Sequence, residues 1–155
     1  MNARSYAEID RLAAQPEATD RKPRLLIVDD DAMLASAMAR VFSRKSWEVL
    51  LADGPVSARE QYAHADAVLS DWSMPDGGGL AVFAECPLPV VFYTARPEDI
   101  PARVKQSRQV FEKCTPSLPE RISTALKEML RCVDEEVMHE GLPLVAGALG
   151  TEVSR

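Results

Sequence analysis

The sequence predicts an α/β fold in which a parallel sheet is covered by helices on both faces. Short runs of branched apolar residues, bounded by acids, Gly or Pro, recur along the chain. They are too short for helices and lack the polar alternation of a half-exposed strand, which is how strands buried on both faces read. Between them lie segments whose apolar residues return near the 3.6-residue period of a helix. Strand and helix alternate, and that order with right-handed crossovers gives a parallel sheet.

The first strand is "RLLIVDD", Arg24 to Asp30, four branched apolar residues running into acids. A helix follows, with Met33, Leu34, Ala37, Met38, Val41 and Phe42 on the helical period and Arg44 and Lys45 in the last turn, where cations favour the helix dipole. "WEVLLA" is the second strand, and "PVSAREQYAHA" a short helix opened by Pro55. "DAVLSD" is the third strand, "LAVFAE" at most a brief helix, and "LPVVFYT" the fourth strand. "RPEDIPARVKQ" has room for only a short or irregular helix before "RQVFE", the fifth strand. In "SLPERISTALKEMLRCVDEEV", Ser117 and Glu120 are spaced as a capping box. Ile122, Ala125, Leu126, Met129, Leu130, Val133 and Val137 line one face of this last helix, expected to run about 18 residues, or about 27 Å. One domain is therefore expected over 23–136. A helix from Ser5 to about Gln15 and a "PEATDRKP" linker make an extension over 1–22, and 137–155 form a tail.

At 155 residues and a formal net charge of −6, with acids and bases interspersed, the chain offers no basic patch for DNA or RNA and no polybasic surface for a membrane. Its apolar stretches are short, and "MNARSYAEIDRLAAQ" is too charged for a secretory signal, so a cytoplasmic location is expected. Cys86, Cys114 and Cys132 are odd in number and lack metal-type spacing, which points to buried or partly buried free thiols.

In a doubly wound sheet, ligands sit beyond the carboxyl ends of the strands. Asp29 and Asp30 end the first strand, Asp71 the third, Thr94 the fourth and Lys113 the fifth. Each alone has an ordinary explanation, since acids cap helices, Thr suits strands and a Lys after a strand is usually solvated. Together they gather at one end of the sheet. Clustered carboxylates repel, so they retain a proton or bind a cation. All-oxygen ligation with few carboxylates is the Mg²⁺ pattern, and three carboxylates, Mg²⁺ and Lys113 cancel in formal charge. The loop "WSMPDGGG" after Asp71 cannot continue as helix, and Pro75 and the glycines let it turn tightly.

"LLIVDDD", "VLSDWSMP", "LPVVFYTA" and "VFEK" resemble, in order, the four signatures of the receiver domain of two-component response regulators, over about Arg24 to Glu136. The resemblance implies a flavodoxin-like (βα)5 sandwich with a five-stranded parallel sheet of order 2-1-3-4-5. It makes Asp71 the phosphoacceptor, with Mg²⁺ on Asp30, Asp71 and the Ser73 carbonyl, Asp29 assisting through water, and Thr94 and Lys113 holding phosphoryl oxygens. It implies a signalling protein whose only catalysis is its own phosphorylation and dephosphorylation. The phosphodonor would be a histidine kinase or phosphotransfer protein, and the output a switched surface for a downstream protein target. Cys114 follows Lys113 where the family commonly has Pro, and Val110 stands where many members carry a switching aromatic. The segments flanking Thr94 are short for the family, so the third and fourth helices should be stunted. The apolar Leu142, Leu144, Val145 and Leu149 point to burial of the tail on its own domain, on the N-terminal helix, or in a homodimer through the last helix, with disorder of this short, glycine-rich segment as the alternative.

Two rivals differ in kind. One keeps the fold and binds partners without phosphorylation. The other is a haloacid-dehalogenase-type phosphatase, whose first-strand acid pair Asp29 and Asp31 imitate, but whose further acidic pair belongs after the lysine; here Asp71 comes before Thr94, and Asp134 to Glu136 fall on a helix.

Overall fold

The computed structural model describes residues 21–140, with side chains to Val137. The elements are β1 (Arg24–Val28), α1 (Ala32–Arg44), β2 (Glu48–Ala52), α2 (Pro55–Gln61), β3 (Ala67–Asp71), α3 (Gly78–Glu85), β4 (Val90–Thr94), α4 (Ala102–Ser107), β5 (Gln109–Glu112) and α5 (Leu118–Glu140). Single 3₁₀ turns, Tyr62–His64 and Pro97–Asp99, follow α2 and precede α4. The five strands are ordered β2-β1-β3-β4-β5, every neighbouring pair parallel. This is the expected flavodoxin-like arrangement. The Ser5–Gln15 helix and Leu142, Leu144, Val145 and Leu149 lie outside the described residues.

Period-2 alternation divides the strand side chains between two apolar layers. Leu25, Ile27, Leu69, Val91, Tyr93 and Phe111 pack with Met38, Phe42, Trp47, Ile122 and Leu126, beneath α1 and α5. On the opposite face Leu26, Val28, Val68, Val90 and Phe92 meet Ala58, Tyr62, Val82, Ile100 and Val104 from α2, α3 and the α4 region. Every residue of β3 and β4 is buried, which explains why those segments carry no polar alternation. The indole N–H of Trp47 donates to Ser123 Oγ at 2.9 Å, tying the start of β2 to α5.

Helix ends account for most departures from expectation. Asp31 caps α1, its Oδ1 accepting from the Met33 and Leu34 N–H groups at 3.0 and 3.1 Å. The buried stripe of α1 is Ala35, Met38 and Phe42, not the one anticipated: Met33 is 85% exposed and Ala37 is also exposed. The capping box at Ser117 gives way to a long-range pair. Ser117 accepts the Arg121 N–H through its carbonyl, but the Glu120 carboxylate reaches Lys45 Nζ at 2.7 Å, linking α5 to the end of α1. α3 and α4 are short, eight and six residues, as their segments required. α5 is longer than expected at 23 residues, and beyond Leu130 every described side chain is exposed, Val133 and Val137 included. Among the cysteines, all free, Cys86 is half-buried while Cys114 and Cys132 are exposed, so the expectation of burial fails for two of three. No described helix is long and apolar enough to cross a membrane.

Candidate functional site

The sheet register sets the carboxyl ends of the strands side by side. Val28, the last residue of β1, lies next to Ser70, and Asp71 lies opposite Tyr93. Thr94 pairs with Glu112, so Lys113 comes one residue further on. The ladder continues past the strands through Asp29 N–H to Ala52 O (3.1 Å), Trp72 N–H to Tyr93 O (3.2 Å) and Lys113 N–H to Thr94 O (2.8 Å). Backbone bonding therefore holds the site residues level with one another.

Asp29, Asp30 and Asp71 each present an oxygen within 4.8 Å of the others. Asp29 is 2% exposed and Asp71 5%, while Asp30 opens to the surface. Lys113 Nζ stands 3.2 Å from Asp71 Oδ1 and 3.4 Å from Asp29 Oδ2. Ser73 is exposed and donates its N–H to Asp71 Oδ1 at 3.4 Å. Thr94 is fully buried, its Oγ1 accepting the Arg96 N–H at 3.1 Å. Asp29, Asp30, Asp71 and Lys113 are thus brought together directly. Ser73 joins through its backbone, and Thr94 flanks the group from the end of the next strand.

Among the described residues the candidate ligand atoms that converge here are carboxylate oxygens, with no His or Cys, and such a donor set fits a hard divalent ion such as Mg²⁺. The loop beyond Asp71 is tightly built. A Cβ on Gly78, at φ +51, would lie only 2.8 Å from Trp72 O, and the Gly79 N–H donates to that same oxygen at 2.8 Å. The Trp72 ring meets Phe92 edge-on, centroids 5.2 Å apart.

Burial raises the Asp71 carboxyl above its ordinary value, the Asp29 charge adding to the rise and Lys113 opposing it. A carboxyl raised in the folded state stabilises fully only below its unfolded value; that contribution is lost as pH climbs through the folded one. Asp71→Asn is therefore expected to gain metal-free stability over the parent as pH rises from about 4 toward neutrality. Thermal unfolding in chelator across that range checks it. A constant difference between the two proteins would contradict the raised carboxyl.

One residue at the site escaped the sequence reading. Tyr93 is 1% exposed, and its hydroxyl donates to Asp29 Oδ2, with Lys113 Nζ 4.5 Å from its ring centroid. Burial, then the Asp29 bond and charge, push its phenol far upward, so it remains protonated and a donor. A tyrosine inside "VVFYT" needed a hydroxyl partner once buried, and that was the available signal.

No family model matches the chain. Protein-glutamate methylesterase/protein-glutamine glutaminase 1 of Anaeromyxobacter dehalogenans is 37% identical over 75 residues, 44% of this chain and 22% of that protein. The chain thus matches under a quarter of that relative's length. Among solved structures, the N-terminal domain of a response regulator/sensory box/GGDEF 3-domain protein from Carboxydothermus hydrogenoformans is 24% identical at a TM-score of 0.60, over 74% of this chain and 98% of that one. A response regulator receiver domain protein from Clostridium thermocellum gives 17% and 0.63, over 72% and 97%. A response regulator from Burkholderia pseudomallei, solved with a phosphorylated aspartic acid, calcium ion and citrate, gives 19% and 0.54, over 76% and 74%. In element order and sheet topology, this chain has the fold of response-regulator receiver domains.

Proposed function

We propose that the chain is a phosphoacceptor signalling protein whose Asp71 takes a phosphoryl group in the presence of Mg²⁺. The observation that carries this reading is Lys113 Nζ set between two buried carboxylates, Asp29 and Asp71, beside a third, Asp30, that opens to solvent. The receiver-domain fold of the solved relatives supports it, one of them bearing a phosphorylated aspartic acid and a calcium ion.

Asp30, Asp71 and the Ser73 carbonyl would hold Mg²⁺, with Asp29 acting through water. Bound there, the ion supplies positive charge for the phosphoryl oxygens. An Asp71 carboxylate oxygen attacks phosphorus in line, the new O–P bond forms, and the bond to the donor breaks with its electrons leaving on the donor. Lys113 and the Thr94 hydroxyl hold phosphoryl oxygens, so positioning and charge do most of the catalysis. Water later hydrolyses the acyl phosphate.

The donor would be a histidine kinase or phosphotransfer protein, and the output a surface switched for a downstream protein target, in the cytoplasm and without direct nucleic-acid contact. The phosphorylated unit spans 23–136, with 1–22 and 137–155 as extensions. The chain performs no other catalysis. Asp31 is engaged as the cap of α1, which leaves the phosphatase reading without its second acid.

Intact-mass measurement after incubation with acetyl phosphate tests the proposal. One phosphoryl group should be gained with Mg²⁺, none in chelator, and none by Asp71→Asn in either condition. An Asp71→Asn protein that labels like the parent would falsify the assignment.

A further inference from the structure

The tyrosine hydroxyl on Asp29 is a buried side-chain contact between two site residues that the proposed chemistry does not use. Asp29 has no exposed side-chain surface, and both its oxygens are already taken. Oδ1 accepts the Asp31 N–H at 2.9 Å, while Oδ2 accepts the Tyr93 hydroxyl and lies 3.4 Å from Lys113 Nζ. A carboxylate offers about four lone-pair positions. Three are spoken for by protein donors, so little of this carboxylate is left for a cation or its water shell.

We infer that Tyr93 is a positioning residue that restrains metal binding: its hydroxyl, by donating to Asp29 Oδ2, draws off negative charge that would otherwise attract Mg²⁺. This rests on the metal site proposed above. The hydroxyl cannot turn away to another described partner, because Tyr93 lies on β4 opposite Asp71 with its ring packed in the apolar layer shared with Ile27, Leu69 and Phe111. Its one bond is to Asp29. A hydrogen bond to an ionised acceptor in a buried setting is among the stronger kinds. Removing the donor while keeping the ring leaves Asp29 with a larger uncompensated charge beside Asp30 and Asp71. The cation is the group that answers it.

Isothermal titration calorimetry with Mg²⁺ on the full chain tests this in a four-protein cycle: parent, Tyr93→Phe, Asp29→Asn, and the double variant. Tyr93→Phe should bind Mg²⁺ about tenfold more tightly than the parent, on the scale of a charged hydrogen bond. In the Asp29→Asn background the same change should alter affinity less than twofold. A ring serving only to fill the core would neither tighten metal binding nor depend on the charge at Asp29. Equal affinity in parent and Tyr93→Phe, weaker binding in Tyr93→Phe, or a gain that persists in the Asp29→Asn background would each overturn the inference. A parent that binds no Mg²⁺ would overturn the metal site and this inference together, whereas the first three results leave the phosphoacceptor reading standing. Circular dichroism of all four proteins keeps loss of fold apart from loss of binding.

Discussion

Lys113→Ala should slow phosphoryl gain at Asp71 about a hundredfold, the usual scale for removing one group that stabilises developing oxygen charge. Nζ lies between Asp71 Oδ1 and Asp29 Oδ2, both on buried carboxylates, and is the cation that contacts both. The same change should lower metal-free stability at neutral pH by about 3 kcal/mol, because it leaves two buried charges facing each other. Acid should restore part of that loss, since a carboxyl whose partner is gone accepts a proton more readily. Mg²⁺ should restore part as well, by replacing the lost positive charge. Rates of mass gain under excess acetyl phosphate, and unfolding curves with and without Mg²⁺, measure the two effects separately. Labelling at the parent's rate would remove Lys113 from the site.

Gly79→Ala should be strongly damaging although it lies outside the charged cluster. A Cβ there would stand 2.5 Å from Cε3 of the Trp72 ring, 2.9 Å from Cδ2 and 2.7 Å from the Trp72 Cα, closer than carbon atoms approach. The backbone has to move, and overpacking of this kind costs about 2 kcal/mol. The residue displaced directly follows Asp71, so Mg²⁺ affinity should fall with stability. Trp72 emission should shift too, against a steady contribution from Trp47, which is buried and bound to Ser123. Gly54→Ala is the control, because nothing lies within 4 Å of its added Cβ and its backbone is extended. That variant should stay within about 1 kcal/mol of the parent, since Gly54 caps α2 through its backbone alone and has no side-chain bond to lose. If both alanines behave alike in thermal unfolding, the close approach at Trp72 is wrong.

What the sequence made legible was set locally. An apolar run ending on an acid or a Thr becomes a strand whose last residue emerges at the sheet's edge, so Asp29, Asp71, Thr94 and Lys113 could be placed before their neighbours were known. The alternation of a strand shows again in β5, where the neighbours Val110 and Phe111 pack in different layers. Contacts decided by reach across the chain were not legible. Glu120 looked like half of a capping box, yet Lys45, 75 residues away in sequence, takes its carboxylate. The period of α1 was correct, but its phase was off by part of a turn: Ala35 faces the sheet and Met33 faces solvent. Small residues give an apolar stripe no direction when alanines stand on both sides of it. Tyr93 failed for a related reason, since alternation gives the face on which a ring lies but not which carboxylate its hydroxyl meets.

The long final helix also has a mechanical meaning. Leu126 is its last fully buried residue, and beyond Leu130 every described side chain is exposed, Cys132, Val133 and Glu136 lining an open cleft with the segment Cys86 to Val90, so the helix is held most firmly through its first half. From Leu126 to Glu140 the axis runs about 21 Å at 1.5 Å per residue. A tilt of about 10° about Leu126 would carry Glu140 nearly 4 Å, on the side of the sheet where the strands begin. Repacking too small to notice among Ile122, Ala125 and Leu126 would become a displacement comparable to the spacing between neighbouring strands.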